Sequence, residues 1–380
     1  MKKLLLTLIC ISMFITGCSK ETEPQGSTEI KPVELALGYV KHDHHLALYV
    51  AAENAAEYTK TSNIELKTVK DKERYELSEA GTKIANVQIS DVPGGAKMPI
   101  ALKTGTIEFG FGGVAAILAA IDSGVPIKIV APLHYKGDMF VMTPDSPVNN
   151  WQDFVDLVKK SDKPIRIGYK SPMAVAKVIF QQALELEGIK YGDADTDSVQ
   201  VRLICTQGGG KLNVALQNEI IDGYVGNNPF PAIGMEKKIL KVICDLETLP
   251  PGNFLNHPCC CLAATEEAIK NKPQAIAAML ALFIQANETI NSDLDKSVAA
   301  ATKWLGTSEA VEKISIPTSG YSMENTDQWN QTMKTWVDEM DNLGLFEGKL
   351  KGKSYENASK MSYDFSLLEQ ANNKLNNSTE

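Results

Sequence analysis

Short apolar runs alternate with longer helical patterns along the chain from residue 33 onward. Runs of strand length occur at Val33–Tyr39, Ile107–Phe111 and Ile127–Pro132, and Gly112–Ser123 between the last two has the spacing of a helix. Parallel strands need a crossover of a dozen or more residues, which a helix usually supplies. The pattern therefore predicts a mostly parallel α/β sheet.

The same alternation starts again at Phe140 and continues to Val225, which predicts a second α/β unit of about one hundred residues. Strands at Lys241–Asp245 and Cys259–Ala264 follow, and the remainder is mostly helical. The predicted fold is two α/β lobes joined by two crossovers near residues 133–138 and 233–240, with a helical C-terminal region. The predicted boundaries are 33–133 for the first part of lobe 1, 134–236 for lobe 2, 237–345 for the second part of lobe 1 with the C-terminal helices, and 346–380 for a C-terminal tail.

The first residues have the pattern of an exported lipoprotein. Lys2 and Lys3 precede the apolar run Leu4–Ile15, which is shorter than the roughly 20 residues that a membrane-spanning helix needs. The run ends in Ile-Thr-Gly-Cys, which is typical of a lipoprotein cleavage site and makes Cys18 the acylated first residue of the mature chain. We therefore predict a signal peptide over 1–17, a polar lipidated tether over 18–32, and an anchor on the extracytoplasmic face of the cell membrane. The alternative is an ordinary signal peptide with an incidental cysteine.

The charge balance limits the class of ligand. The 380 residues include 38 Lys and Arg against 47 Asp and Glu, a net charge of −9, which argues against nucleic-acid binding. Only three arginines occur, Arg74, Arg166 and Arg202, so a cleft built on an arginine cluster is not expected. The GxxxxGK[ST], HExxH and GxSxG motifs of nucleotide-binding proteins, metalloproteases and hydrolases are absent from the sequence.

The loops at the carboxyl ends of the predicted strands are the expected binding surface, because ligands of open α/β sheets sit there. Glycines in these loops allow the backbone to approach a ligand, polar side chains offer hydrogen bonds, and tyrosine offers a flat apolar face. The glycines and asparagines are equally compatible with ordinary turns. The candidate ligand-binding residues in these loops are Gly113, Val114, Tyr135, Ser171, Met173, Asn227 and Asn228.

Three of the five histidines lie together in His42-Asp43-His44-His45, directly after the first predicted strand. Imidazole is the commonest nitrogen ligand of metals, so His42 and His44 are either metal ligands or solvated loop residues. His42 is also a candidate for contact with a solute.

Five cysteines remain after Cys10 and Cys18 are set aside, and an odd number leaves at least one thiol free or metal-bound. They are Cys205, Cys244, Cys259, Cys260 and Cys261. In an extended strand Cys259 and Cys261 face one side and Cys260 the other. Cys259 and Cys261 are therefore the candidate metal ligands, and the neighbouring His257 is a candidate ligand-binding residue. The alternative is that the cysteines are small apolar residues of a buried strand.

Several segments, in order along the chain, resemble the nitrate/sulfonate/taurine-type solute-binding proteins and the related thiamin-precursor-binding family. The resemblance is carried by LGYVKHDHHLALYVAA at 37–52, GTIEFGFGGVAA at 105–116, GVPIKIVAP at 124–132, IGYKSPMAV at 167–175 and EIIDGYVGNNP at 219–229. It implies a type II periplasmic-binding-protein fold that holds a small solute between two lobes and passes it to an ABC permease. It also implies that His45, at the position of the family's polar residue at the start of the first helix, contacts the ligand.

The cysteine run resembles part of a second pattern. The thiamin pyrimidine synthase family, which shares this fold, carries a CCCFC run that holds iron. Cys259–Cys261 match its first three members, whereas Leu262 and Ala263 replace the rest. That family also has an active-site histidine in the region of the His42–His45 loop, but it works inside cells without an export signal. The resemblance therefore implies the location of a site near His45 and Cys259 and does not imply its catalysis.

Together these patterns predict a monomeric, lipid-anchored solute-binding protein of an ABC importer. It captures a small polar or heterocyclic solute by hinge closure, without an enzymatic step, a cofactor or nucleic acid. Its expected partner is the permease in the membrane. The alternative is a thiamin pyrimidine synthase-like enzyme or a metal-binding protein that uses the His42–His45 loop and Cys259–Cys261.

Overall fold

The computed structural model describes residues 31–193 and 198–377. The predicted signal peptide over 1–17, Cys18 and most of the predicted tether over 18–32 lie outside the described residues.

The described strands form two sheets. The first segment of the chain forms β1 (Val33–Tyr39), β2 (Ile64–Lys70), β3 (Arg74–Glu79), β4 (Thr82–Asp91), β5 (Phe109–Gly113) and β6 (Ile127–Lys136). The middle segment forms β7 (Asp138–Met142), β8 (Ile165–Tyr169), β9 (Tyr191–Gly192), β10 (Val201–Cys205), β11 (Gly223–Asn227) and β12 (Lys241–Asp245), and the last segment forms β13 (Pro258–Thr265) and β14 (Ser319–Tyr321). The larger sheet has the order β14-β6-β13-β5-β1-β4-β3-β2, and the smaller sheet has the order β12-β7-β11-β8-β10-β9.

Helices connect and cover these strands. The first segment contains α1 (Leu46–Glu53), α2 (Ala55–Ser62), α3 (Met98–Lys103) and α4 (Val114–Asp122), and the middle segment contains α5 (Trp151–Lys160), α6 (Val175–Leu186), α7 (Leu212–Gln217) and α8 (Phe230–Glu236). The last segment contains α9 (Glu266–Asn271), α10 (Pro273–Ser292), α11 (Leu294–Leu305), α12 (Glu309–Ser315), α13 (Asp327–Asn342), α14 (Tyr355–Ser362) and α15 (Ser366–Asn377). The predicted α/β fold with two lobes and a helical C-terminal region is confirmed.

Parallel strands lie next to one another in the middle of each sheet, but five of the seven strand pairs described in the larger sheet are antiparallel, so the prediction of a mostly parallel sheet is wrong for this lobe. In the larger sheet β1 lies between β4 and β5, and in the smaller sheet β8 lies between β10 and β11. β1 buries Leu35, Leu37 and Tyr39, which alternate along the strand and so point to one face. Because the three central strands of a sheet run in one direction, the loops at their carboxyl ends emerge along one edge.

A hairpin in the larger sheet is missing from the sequence prediction. β3 pairs antiparallel with β2 and β4, and it buries only Tyr75 and Leu77. Ala80 and Gly81 join β3 to β4 with φ values of 47° and 77°, as a two-residue turn with positive φ at both positions requires. The charged residues Arg74, Glu76 and Glu79 hide this strand in a pattern-based prediction.

The chain crosses between the sheets at two neighbouring places. Gly137 is the single residue between β6 and β7, and the chain returns from β12 to β13 over residues 246–257. The return therefore comes later than the predicted crossover near 233–240, because Lys241–Asp245 pairs with β7 in the smaller sheet. Where the crossovers pass, the Lys136 N–H donates to the His257 carbonyl oxygen at 2.9 Å.

The C-terminal segment is part of the larger lobe. Phe283 of α10 packs against Phe109 and Phe111 of β5, with ring centroids 6.3 and 5.1 Å apart. Residues 346–377, expected to be a tail, contain α14 and α15, and Phe346 and Ala371 are fully buried. This segment is therefore part of the core and not a tail.

Candidate functional site

A cavity of about 230 Å³ lies between the two sheets, and we call it the outer cavity. It is walled by the loops that follow β1 and β4 of the larger lobe and β8, β10 and β11 of the smaller lobe. Its lining residues are Val40, His42, Pro93, Gly94, Gly95, Lys97, Lys170, Ser171, Pro172, Cys205, Gln207, Gly208, Gly209 and Phe230.

The outer cavity is positively charged. Lys97 comes from the larger lobe and Lys170 from the smaller one, and none of the described residues that line the cavity is acidic. The Lys170 Nζ donates to Asn227 Oδ1, which orients the ammonium group. The remaining wall is largely apolar, with Phe230 and the two prolines Pro93 and Pro172. This combination suits an anionic solute that also carries an apolar face.

The two lobes present the same local structure to this cavity. A short 3-10 turn at Gly95–Lys97 leads into α3, and an equivalent turn at Gly209–Lys211 leads into α7. The glycines before these turns, Gly94 and Gly208, have φ values of 93° and 141°, in the region that favours glycine. The matching sequences GGAKMPIAL and GGGKLNVAL carry this repeat.

A smaller cavity of about 30 Å³, which we call the inner cavity, adjoins the outer one. The two cavities share Val40, His42, Gly95, Lys170 and Ser171. The further lining residues of the inner cavity are His45, Phe111, Gly112, Gly113, Ala116, Met173, Ala174, Val175, Cys259 and Cys260.

His42 and His45 present unpartnered nitrogens in this region. The Val40 N–H donates to His45 Nδ1 at 2.9 Å, so the proton of the neutral ring lies on Nε2. His45 Nε2 and His42 Nδ1 are buried, and neither has a hydrogen-bond partner among the described residues. Burial lowers the pKa of His45, and burial, His45 and Lys170 hold the pKa of His42 well below its usual range. Both rings are therefore neutral hydrogen-bonding groups at neutral pH.

A second group of histidines and cysteines lies beside the inner cavity. His44 is at van der Waals distance from His134, with ring centroids 4.1 Å apart, and its Nδ1 lies 3.2 Å from Cys259 Sγ. Burial and the neighbouring His134 lower the pKa of His44 to about 4. Burial raises the pKa of Cys259. Burial would also raise the pKa of Cys260, but the neighbouring Cys259, His134 and His44 lower it.

Asp138 connects this group to the smaller lobe. The Cys259 thiol donates to Asp138 Oδ2 at 3.1 Å, and His257 Nε2 lies 3.6 Å from the same oxygen. Burial would raise the pKa of Asp138, but His257 and His44 hold it below its usual range. All five histidines of the chain thus lie near the two crossovers or in the loop that faces them.

The structure brings together only some of the residues predicted to bind ligand. His42, His45, Gly113, Ser171 and Met173 line the cavities. The predicted residues that are not among the described lining residues are Val114, Tyr135, Asn227, Asn228 and His257.

Their side chains or backbones have other positions. Val114 begins α4 in the core, and Tyr135 lies in β6 opposite Pro258 and Gly320. Asn228 Oδ1 accepts from the Ala232 N–H and its Nδ2 donates to Thr318, so this side chain connects α8 to the larger lobe. Of the candidate metal ligands, Cys259 lies in the histidine group, whereas Cys261 Sγ is directed at the Gly112 carbonyl oxygen at 3.6 Å.

Sequence reasoning missed the loop Pro93–Lys97, which follows the unpredicted strand β4, and it did not single out Lys170, Phe230, His134 or Asp138. The repeated Gly-Gly-X-Lys sequence was the signal that could have identified the loop. His134 and Asp138 carry no local signal, because only the fold brings them next to residues far away in sequence.

Comparison with known proteins gives the family. Residues 28–305 match the NMT1-like family, which is more than half of the 380 residues. The chain belongs to the NMT1-like family. An uncharacterised protein of Methanocaldococcus jannaschii is 35% identical to this NMT1-like chain over 138 residues, which are 35% of this chain and 91% of that protein.

Solved structures share the fold of this NMT1-like protein. The ligand-binding component of an ABC-type import system from Staphylococcus aureus, with zinc bound, has a TM-score of 0.69 and 16% identity over 90% of this chain and 99% of its own. The nitrate-binding protein NrtA from Synechocystis has a TM-score of 0.66 and 12% identity, over 90% and 89% of the two chains. The alkanesulfonate-binding protein SsuA from Xanthomonas axonopodis, bound to MOPS, has a TM-score of 0.63 and 14% identity, over 86% and 98%. The type II periplasmic-binding-protein fold is confirmed.

Within residues 31–193 and 198–377, no helix combines the length and the apolarity that crossing a bilayer takes.

Proposed function

We propose that this chain is the solute-binding component of an ABC importer and that it captures a small anionic solute with an apolar face in the outer cavity. The observation that carries the proposal is the wall of that cavity, which comes from equivalent loops of both lobes. Membership of the NMT1-like family and the shared fold support the same function.

Solute binding in such a cavity favours lobe closure. Lys97 and Lys170 lie on different lobes, so a ligand touches both only when the lobes are together. The ligand stabilises the closed state to the extent that it binds that state more tightly. Gly137 and residues 246–257 are the segments about which such a movement takes place.

Cys18 supports a location outside the cytoplasm and a lipid anchor. Small residues before a cysteine, after a basic and then apolar start, are typical of lipoprotein export. A lipidated Cys18 would keep the binding lobes near a membrane-bound permease, and residues 19–32 would act as the tether. Labelling with a fatty-acid analogue should mark the wild-type chain and not Cys18→Ser.

Ligand-dependent thermal stabilisation tests the binding function. The purified chain is screened with aliphatic and aromatic sulfonates and carboxylates, and with the uncharged amide of each. An anion present at one hundred times its Kd should stabilise the fold by about 2.7 kcal/mol, whereas its amide should have little effect. Equal stabilisation by anions and amides, or none by any of them, would contradict the proposal.

The enzyme alternative has less support. In the position of the final cysteine of the iron-holding run, this chain has Ala263, which is fully buried in β13. The family and fold comparisons favour binding over catalysis.

A further inference from the structure

Four metal-binding side chains meet beside the inner cavity, next to the crossover at Gly137. One donor atom from each lies within 4.8 Å of those of the other three. All four side chains are at most 4% exposed. They are His44, His134, Cys259 and Cys260.

An irregularity in β13 explains how two adjacent cysteines reach one place. The register of β13 against β6 shifts between Pro258 and Cys260 and again between Cys260 and Cys261. A regular strand directs successive side chains to opposite faces, and a bulge re-aims them. Cys259 and Cys260 therefore both reach the histidines, while Cys261 contacts the Gly112 carbonyl instead.

His44 is oriented as a ligand. Its Nε2 lies 3.3 Å from the Gly137 carbonyl oxygen, and a proton on Nε2 leaves a lone pair on Nδ1. That Nδ1 lies 3.2 Å from Cys259 Sγ, inside the cluster. Metal-binding histidines are usually held in this way, with the second ring nitrogen donating to a carbonyl or carboxylate.

His134 is a buried member of this group. The side chain is 1% exposed, and among the described residues neither ring nitrogen makes a hydrogen bond of good geometry, although Cys260 lies beside the ring. A buried polar group without a partner costs folding free energy. A bound ion would supply that partner.

We propose that His44, His134, Cys259 and Cys260 bind one thiophilic metal ion, such as Zn²⁺, with tetrahedral coordination. Two thiolates and two imidazoles form a common zinc set, and they do not suit Mg²⁺ or Ca²⁺, which prefer oxygen. Zinc–ligand bonds of about 2.0–2.3 Å place tetrahedral ligands roughly 3.3–3.8 Å apart. The side chains need to contract by only about 1 Å to reach that geometry. The two thiol protons leave to solvent as the ion binds.

A second group of three possible metal ligands shares the Cys259 thiol. Asp138, His257 and Cys259 also have donor atoms within 4.8 Å of one another. This set has three ligands, and its Asp138 already accepts from the Cys259 thiol. The set with four ligands completes a tetrahedron without Asp138, and we assign the ion to it. Because Cys259 and Cys260 line the inner cavity, the ion reaches this site from the cleft.

Zinc titration of the purified, reduced full chain against a chromophoric chelator tests the site. We expect one equivalent to bind, with at least 100-fold weaker binding in Cys259→Ser/Cys260→Ser and unchanged binding in Cys261→Ser. Co²⁺ in place of Zn²⁺ should give the intense d–d bands of tetrahedral coordination and a sulfur-to-cobalt charge-transfer band. His134→Gln should weaken zinc binding and change the cobalt spectrum. If Cys259→Ser/Cys260→Ser does not fold, this variant tests the site in its place.

Two variants separate the possible failures. Asp138→Asn should bind zinc within a few-fold of wild type; loss of binding in this variant with retention in Cys260→Ser would overturn the assignment. Equal zinc binding by wild type and by the double variant would also overturn it. The zinc titration contains no solute anion, so failure of the anion proposal would leave this result unaffected.

Discussion

His44 Nε2 lies 3.3 Å from the carbonyl oxygen of Gly137, which is the single residue between β6 of the larger sheet and β7 of the smaller sheet. The histidine loop is thereby attached to the crossover about which we propose that the lobes move. A movement at Gly137 also displaces the partner of His44. The site near the crossover and the closure of the cleft are therefore physically linked.

Gly137→Ala should destabilise the fold through a steric clash. A Cβ at this position would overlap Ser319 Oγ and lie 2.9 Å from His44 Nε2, and the residue has a φ of 85°. We expect a loss of about 1–3 kcal/mol in the free energy of unfolding beyond the cost of the positive φ alone. Gly252→Ala is the matched control, because Gly252 has a φ of 84° and open space around its Cβ position. Equal losses in the two variants, measured by urea unfolding, would show that the predicted clash is relieved.

Lys170→Gln should weaken anion binding by about 10- to 100-fold, because a hydrogen bond to a charged group contributes about 1.5–3 kcal/mol. Lys170 lines both cavities and is oriented by Asn227. Lys103→Gln removes the same charge from an exposed position at the end of α3 and should leave the affinity unchanged. Calorimetric titration of both variants with the best anion from the thermal screen gives the comparison. A similar loss in both would indicate a non-specific charge effect.

Glu312→Gln should reduce the pH dependence of stability. Glu312 and Asp43 are buried carboxyl groups that lie beside each other, and burial raises the pKa of Glu312. Because this pKa is higher in the folded chain than the ordinary value of about 4.3, unfolding releases protons between the two values. The stabilising contribution is complete below that ordinary value and is lost as pH rises through the folded pKa.

Urea unfolding from about pH 4 to pH 8 measures this effect. Wild type should lose stability with rising pH more steeply than Glu312→Gln. Glu309→Gln, an exposed change at the start of the same helix, should keep the wild-type slope. If stability changes equally with pH in all three proteins, the assignment of this pH dependence to Glu312 is wrong.

The sequence was sufficient for the two α/β lobes because strand and helix patterns are local, but it did not show that most strand pairs of the larger sheet are antiparallel. Apolar runs and helical spacing indicated β1 and β5, and the loops at the carboxyl ends of the predicted strands were expected to form the binding surface. The hairpin β3–β4 was not predicted because β3 is half exposed and buries only Tyr75 and Leu77. The second crossover was placed too early because pairing with β7, which no local pattern shows, puts Lys241–Asp245 in the smaller sheet.

The candidate site was less predictable, because contacts between distant residues form it. Cys259 and His44 are 215 positions apart, and their side chains meet only through the larger sheet. Strand alternation predicted Cys259 and Cys261 on one face, but the register shifts in β13 bring Cys259 and Cys260 together instead. Periodicity cannot indicate such a bulge.

Small-angle X-ray scattering is the most direct test of the claim that solute binding closes the two lobes. The radius of gyration is measured for the ligand-free chain and at saturation with the best anion, alongside Lys170→Gln at the same anion concentration. We predict that the radius decreases in wild type and changes much less in Lys170→Gln. An unchanged radius in wild type, at an anion concentration that calorimetry shows to be saturating, would contradict the account.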